Sequence, residues 1–357
     1  MKKVIVDKIA SVAEHNNINH DLRVATEIPC EEGVLVAVEI LNNKETYNKL
    51  ELTSGRMAQL KRGDVIVGAL GHRKALFGYS GHLPEQLVPG DEIQVLNIGG
   101  VLGICDSVNA NFGQPFNAKV LGTVLDFPHR GERVGVPARV GGEKLQLDVT
   151  LSTQGIPVVA LAGTCMDSGK TAAACAVISR LRHLGFKVAA FKSTGVALRR
   201  DVLAMEDAGA YATAIFSDYG VVATTNTNGP AVTKIMINQL AAGMDSPGTV
   251  PDVIVFELGD GILGSYGVEA ILKDDAIGDA LSCLILCAND PVGAAGGVDI
   301  LATEFKLATD IVTGPATDNQ VGRDIINERL NVQAINAITD ASDLGDAVAA
   351  VLQLESS

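Results

Sequence analysis

One nine-residue stretch, Gly163-Thr164-Cys165-Met166-Asp167-Ser168-Gly169-Lys170-Thr171, constrains this chain more than any other, because it joins a strand-like run to a helix-like run through a turn bracketed by glycines. Ahead of it, residues 156–162 are continuously apolar, as in a strand of a parallel sheet buried on both faces. Behind it, residues 171–183 are alanine-rich and predict a helix. A turn of this kind gathers successive backbone N–H groups and the positive end of the helix around one anion. Lys170 then reaches the outer phosphates, and Thr171 offers its hydroxyl to Mg²⁺. Glycine is needed where a side chain would block the approach. The bland alternative is a glycine-rich turn without a ligand, which the flanking strand and helix disfavour.

Composition narrows the partners. With 357 residues the chain is long enough for two domains, each with its own core. A formal net charge of -14, aromatic content of 4% and no Trp all argue against a nucleic-acid partner, since phosphate repulsion and the lack of stacking surface act together. A small anion held by a local ring of N–H groups is still admissible. The six cysteines are scattered with no C-x-x-C pair and are expected to be reduced core residues, Cys165 within the loop being a filler. Cys283 and Cys287 share one side of a predicted strand. The N-terminus has no signal-peptide pattern and no run of about 18 apolar residues occurs, so a soluble cytoplasmic protein with no membrane partner is expected.

Along the chain, residues 1–150 predict a mostly-β domain, a small antiparallel barrel or sandwich, with strands over 34–41, 64–70, 74–79, 92–97 and 118–125. Its end, about 126–150, is a linker whose Arg130, Arg133 and Arg139 are candidates to fold over the loop, a solvated connector being the alternative. Residues 151–357 alternate apolar strands with helices, which predicts an α/β domain with a mainly parallel sheet covered on both faces. The strands are expected over 157–163, 187–192, 212–216, 253–257, 283–288, 311–314 and 332–338. Helices are expected over 171–184, 201–209, 230–242, 268–281, 298–308, 321–330 and 342–354.

Ligands of such sheets bind outside the carboxyl ends of the strands, so the polar residues there are the site candidates. Lys192 closes the second strand and is followed by Ser193-Thr194-Gly195 and by Asp201, with Asp207 a rival acid further on. Glu257 closes four apolar residues ahead of a glycine turn, as a Walker-B acid does. Asn289-Asp290 and residues 314–319 follow later strands and are the natural places for base recognition. Neither is an N-K-x-D guanine signature, which makes adenine the favoured base. No G-x-S-x-G elbow or H-E-x-x-H is present.

The loop departs from the usual spacing in having five residues between its glycines, and its form G-T-x-x-x-x-G-K-T resembles dethiobiotin synthetase and its relatives among the MinD and cobyrinic acid amide synthetase P-loop proteins. The resemblance covers roughly 156–355 and leaves the N-terminal domain unmatched. It implies a Mg²⁺-ATP-dependent ligase or phosphotransferase that activates a small carboxylate or amino-acid-like substrate. The residues implied are Lys170 and Lys192 as catalytic, and Gly163, Thr164, Asp167, Ser168, Gly169, Lys170, Thr171 and Asn289 as nucleotide-binding. Thr171, Asp201 and Glu257 are implied as metal ligands. Relatives of this class commonly dimerise. Two alternatives stay open: the loop holding another phosphorylated cofactor, such as coenzyme A in an acyltransferase, or a nucleotide-dependent switch or metallochaperone. The latter is disfavoured by Thr164 standing where a second lysine is usual and by the lack of a Cys/His cluster.

Overall fold

The apolar strands of the second half assemble as their continuity requires, into a seven-stranded sheet whose pairs are all parallel. The computed structural model describes residues 1–16, 18–128, 134–141, 145–243 and 249–354. The chain divides into two compact units. The first comprises Met1–Leu145 with Val196–Arg200 and Phe216–Ala223, and the second comprises Gln146–Gly195, Asp201–Ile215 and Thr224–Ser357. Among the described residues no helix is long and apolar enough to cross a membrane.

Unit 1 is mostly β. Its strands are β1 (Lys2–Ile5), β2 (Lys8–Ile9), β3 (Asp21–Ala25), β4 (Leu35–Ile40), β5 (Lys49–Glu51), β6 (Met57–Gln59), β7 (Val65–Leu70), β8 (Arg73–Lys74), β9 (Tyr79–His82), β10 (Glu92–Val95), β11 (Val101–Val108), β12 (Phe116–Asp126) and β13 (Val136–Pro137). The neighbours β12, β4, β7 and β11 are linked back to β12 by β10, which closes a ring. One of its pairs, β7 with β11, is parallel, so the barrel is mixed where an antiparallel one was expected. A register shift between Val120 and Gly122 bends β12, letting one strand pair with β3, β4, β10 and β13. The single strand expected over 74–79 is instead the hairpin of β8 and β9, turning through residues 75–78. Of the linker arginines, Arg130 and Arg133 lie outside the described residues, and Arg139 pairs with Glu31 at 2.5 Å.

Two polar groupings lie within unit 1. The fully buried Glu51 accepts hydrogen bonds on Oε2 from the Ser11 hydroxyl and from the backbone N–H of Arg199, the latter at 2.8 Å. The Arg199 guanidinium meets Glu14 at 2.5 Å and Asp218 at 2.9 Å, and His15 Nε2 lies 2.7 Å from the same Asp218 oxygen.

Unit 2 contains β14 (Val158–Gly163), α1 (Lys170–His183), β15 (Val188–Lys192), α2 (Arg200–Asp207), β16 (Ala212–Ile215), α3 (Gly229–Ala241), β17 (Val253–Glu257), α4 (Val268–Leu272), α5 (Asp275–Ala280), β18 (Leu281–Cys287), α6 (Pro291–Glu304), β19 (Ile311–Thr313), α7 (Gln320–Leu330), β20 (Gln333–Ala334) and α8 (Ala341–Val351). The strand order is β16-β15-β17-β14-β18-β19-β20. On one face, Val159 and Leu161 pack among Ala173, Val177 and Leu181 of α1 and Leu344 and Val348 of α8. On the other, Phe191 and Phe256 stack with ring centroids 5.0 Å apart. Cys283 and Cys287 are both buried in the first of these cores, where burial pushes each thiol up to about 12.

Three expectations are corrected. The helix expected over 298–308 begins at Pro291, because Asp290 caps it and Gly293, Gly296 and Gly297 are helical residues rather than a turn. The helix expected over 268–281 is two short ones broken at Asp274, whose carboxylate caps the second through Ile277 N–H at 3.2 Å. The last strand shrinks from 332–338 to Gln333–Ala334, with Asn336 holding the N–H groups of Ile338 and Thr339 at 2.8 and 2.9 Å.

The hydrogen bond to Asp218 holds the His15 imidazole above its ordinary 6.5, partly opposed by burial. Protonation therefore favours the folded state: the contribution is complete below pH 6.5 and fades as pH rises through the higher folded value. A His15→Gln variant should show its largest stability deficit, under about 1 kcal/mol for a half-exposed pair, at the acid end and converge on wild type at alkaline pH. Urea unfolding across that range checks it, and a deficit independent of pH would refute the linkage.

Candidate phosphate and metal site

Everything in the site hangs from the end of β14. The chain leaves the strand at Gly163, passes Asp167 at φ 58° and Gly169 at φ 89°, and enters α1 at Lys170. Those two left-handed residues turn the loop over, and Gly169 gives α1 no side-chain cap, which leaves the first N–H groups of a fourteen-residue helix open to an anion. The nearby α6 contrasts with it, since Asp290 Oδ1 takes the N–H groups of Val292 and Gly293, both at 2.9 Å.

Lys170 is 5% exposed and curls back into the loop, donating to the Cys165 carbonyl at 2.8 Å and the Ser168 hydroxyl at 3.3 Å. This explains the glycine at the strand end: a Cβ on Gly163 would stand 2.4 Å from Ser168 Oγ and 2.7 Å from Lys170 Nζ. The loop is fastened to β18 by Thr164 N–H donating to Cys287 O at 2.9 Å. Asn289 touches it as well, its amide lying 3.0 Å from Cys165 Sγ.

Parallel register brings the charged residues together. Leu161, Glu257 and Lys192 are lateral partners across β14, β17 and β15. Thr171, at the first turn of α1, donates its hydroxyl to Glu257 Oε2 at 2.8 Å. Glu257 is 3% exposed, and burial followed by the nearby Asp201 carboxylate raises its pKa, with Lys192, Lys170 and the Thr171 hydroxyl opposing. Lys192 and Asp201 form a buried ion pair. Asp207, the rival of Asp201, is exposed at the far end of α2. Thr171, Glu257, Asp201, Lys170 and Lys192 thus form one cluster. Its donors are a hydroxyl and carboxylates, hard oxygen ligands of the kind Mg²⁺ takes, usually one or two from protein with phosphates and waters completing the shell. Among the described residues no three His, Cys, Asp or Glu side chains group as a metal site by themselves.

The loops expected to read a base are largely committed to structure. Asp290 caps α6 as above, Asn319 caps α7 through Gly322 N–H at 3.1 Å, and Asp318 accepts from Asn336 at 2.9 Å. Asn289 remains exposed beside the loop. One residue went unassigned in the sequence: Asp260, 7% exposed, at φ 72° in the turn after β17. The signal available for it was an acid flanked by Gly259 and Gly261 directly downstream of the Walker-B-like strand.

No protein-family model matches this chain, and no curated protein sequence does. Among solved structures, the signal recognition particle receptor FtsY of Elizabethkingia anophelis is similar at 14% identity and a TM-score of 0.39, over 55% of this chain and 66% of its own. The signal recognition particle 54 kDa protein of Aeropyrum pernix, solved with GDP, is similar at 18% identity and a TM-score of 0.37, over 59% of this chain and 49% of its own. A DUF1611-family protein from Anabaena variabilis is similar at 13% identity and a TM-score of 0.41, over 66% of this chain and 69% of its own. This chain thus spans just under two thirds of that FtsY's length and about half that of the 54 kDa protein. At TM-scores this low none of these likenesses carries an argument about this chain's family or about what it binds, and the likeness to dethiobiotin synthetase is not confirmed.

The loop's packing yields a paired test. Gly314, after β19, has φ 91° and a Cβ there would lie 2.4 Å from the Ser168 carbonyl, whereas nothing lies within 4 Å of a Cβ on helical Gly296. Gly314→Ala should therefore cost more than about 2 kcal/mol, and Gly296→Ala should be neutral or stabilise by up to about 1 kcal/mol. Equal denaturation midpoints for the two variants would contradict this geometry.

Proposed function

We propose that unit 2 binds Mg²⁺-ATP and uses it to activate a small carboxylate or amino-acid-like substrate by phosphoryl transfer, in the manner of a ligase or synthetase. The observation that carries the reading is the pairing of Thr171 Oγ1 with the buried Glu257 carboxylate at 2.8 Å, at the uncapped head of α1 and beside two lysines. A buried acid with raised pKa is a poor resting arrangement for its own sake; it suits a site where a cation arrives with the ligand. Mg²⁺, when bound, supplies charge neutralisation at the phosphates. Thr171 and Glu257 would hold it, with Asp201 contributing once Lys192 turns to the ligand.

In this reading the backbone of Gly163, Thr164, Asp167, Ser168 and Gly169 cradles the phosphates, and Lys170 leaves the Cys165 carbonyl for a phosphate oxygen. Lys192 neutralises the group in transfer, and Asn289 borders the nucleotide. The absence of an N-K-x-D guanine signature around Asn289-Asp290 and residues 314–319 favours adenine. A second copy of the chain completing a dimer belongs to the same reading.

Titration calorimetry with ATP, GTP and acetyl-coenzyme A, each with and without Mg²⁺, tests it. ATP should bind with Mg²⁺ enhancement, and Lys170→Ala should weaken binding at least about tenfold. GTP or acetyl-coenzyme A binding in its place would favour a switch or an acyltransferase, and would sink the ATP assignment. Glu257→Gln should lose Mg²⁺-dependent turnover by about a hundredfold or more while metal-free nucleotide affinity holds.

A further inference from the structure

Asp260 is the one acid at this site whose carboxylate meets no side-chain donor. Both of its oxygens are buried and make no well-formed hydrogen bond within the described residues, the backbone N–H groups of Ser265 and Gly261 being the donors that bear on them. Backbone geometry makes this costly twice over, because a non-glycine residue at φ 72° is strained and a weakly met buried carboxylate loses its hydration. Neither cost is needed to make the turn, since glycine would remove both.

The turn is held on both sides. Thr194 donates its hydroxyl to Gly259 O at 2.9 Å, and Ile262 N–H donates to Gly163 O at 2.8 Å. A Cβ on Gly259 would come within 2.2 Å of Thr194 O, and one on Gly261 within 2.9 Å of Thr164 O. The backbone of the turn is thus wedged between the phosphate loop and the loop after β15. Lys170 and Lys192 both act on the Asp260 charge, as they do on Glu257, whereas no other carboxylate of the cluster is among the groups that act on it. Gly264 packs against the carboxylate, where a Cβ would stand 2.6 Å from Asp260 Oδ2.

We propose that Asp260 receives the N–H or O–H donor of the second substrate, the group that attacks the activated carboxylate, and accepts its proton. The inference rests on the phosphoryl-transfer reading above. Once Lys170 and Lys192 turn to phosphates, the carboxylate is left with net negative surroundings and two open acceptors. In the step itself the nitrogen or oxygen attacks the carbonyl carbon of the acyl phosphate and forms the new C–N or C–O bond. The C–O bond to phosphate breaks, phosphate leaves with the electron pair, and the proton of the attacking group passes to Asp260. Burial raises the Asp260 carboxyl above the usual range, with the approaching N–H groups of Ser265 and Gly261 and the two lysines opposing, so it retains a proton better than an exposed acid would.

The test uses the full chain and matched acids differing at one carbon: alanine, lactate and propionate, and aspartate, malate and succinate. Affinities are measured by ligand-observed NMR with and without Mg²⁺ and a non-hydrolysable ATP analogue, for wild type, Asp260→Asn and Asp260→Glu. At least one amine or hydroxyl acid should bind wild type about tenfold more tightly than its unsubstituted partner. Asp260→Asn should erase that preference while analogue affinity stays within about twofold, and Asp260→Glu should retain part of it. The amine and hydroxyl arms tell N–H from O–H. An unchanged preference in Asp260→Asn overturns the proposal, as does the absence of any preference in wild type that binds the analogue. Failure of wild type to bind the analogue sinks the phosphoryl-transfer reading instead, and a preference surviving without nucleotide would still report on Asp260.

Discussion

Lateral register in a parallel sheet is what the second unit depends on. Because Lys192 and Glu257 are partners on adjacent strands, and Glu257 and Leu161 are partners on the next pair, two residues distant in sequence are fixed within a strand spacing of each other and of the loop that follows β14. A slip of one residue would turn Glu257 to the opposite face and part it from Thr171. The continuous apolar runs that specify the strands carry no period that would prevent such a slip. Close-packed partners do, with Phe191 stacked on Phe256 and the small residues of α1 fitting against Val159 and Leu161.

Electrostatically the cluster answers its charges from within. Lys192 satisfies Asp201, Lys170 satisfies carbonyl and hydroxyl oxygens inside its own loop, and Glu257 makes do with one hydroxyl. Each of these contacts is one that a polyphosphate and a divalent cation could replace with a stronger one.

Much of this was legible in the chain. All seven strands of unit 2 fall at the runs expected from the sequence, the last of them much shortened, and the loop's glycines, Lys170 and Thr171 could be read directly. The start of α6 was not, because Gly293, Gly296 and Gly297 look like a turn. Gly297 is small because a Cβ there would lie 2.8 Å from Leu286, a tertiary reason no local pattern carries. In unit 1 the strands β1, β2, β3, β5, β6, β11 and β13 escaped notice, being short, half-polar or interrupted by glycine and cysteine, and the parallel β7–β11 pair depends on a closure that only the assembled ring reveals. Asp260 escaped for a different reason: an acid between glycines is what any surface turn contains, and only its burial without a side-chain donor sets it apart.

Unit 1 is not built from a continuous stretch of chain. Asn97 donates to the carbonyl of Ala197 at 2.8 Å, Glu32 accepts from Ala223 N–H at 3.0 Å, and a Cβ on Gly71 would collide with Val222 at 2.7 Å. Residues 1–145 synthesised first on a ribosome would therefore emerge with every strand of the ring present but several polar groups unmet, waiting for segments encoded some fifty to eighty positions further on. Folding of the first unit is in this sense retroactive. It also means that no single cut in the gene yields both units whole, so a rearrangement that transplanted the second half to a new setting would carry two segments of the first unit with it.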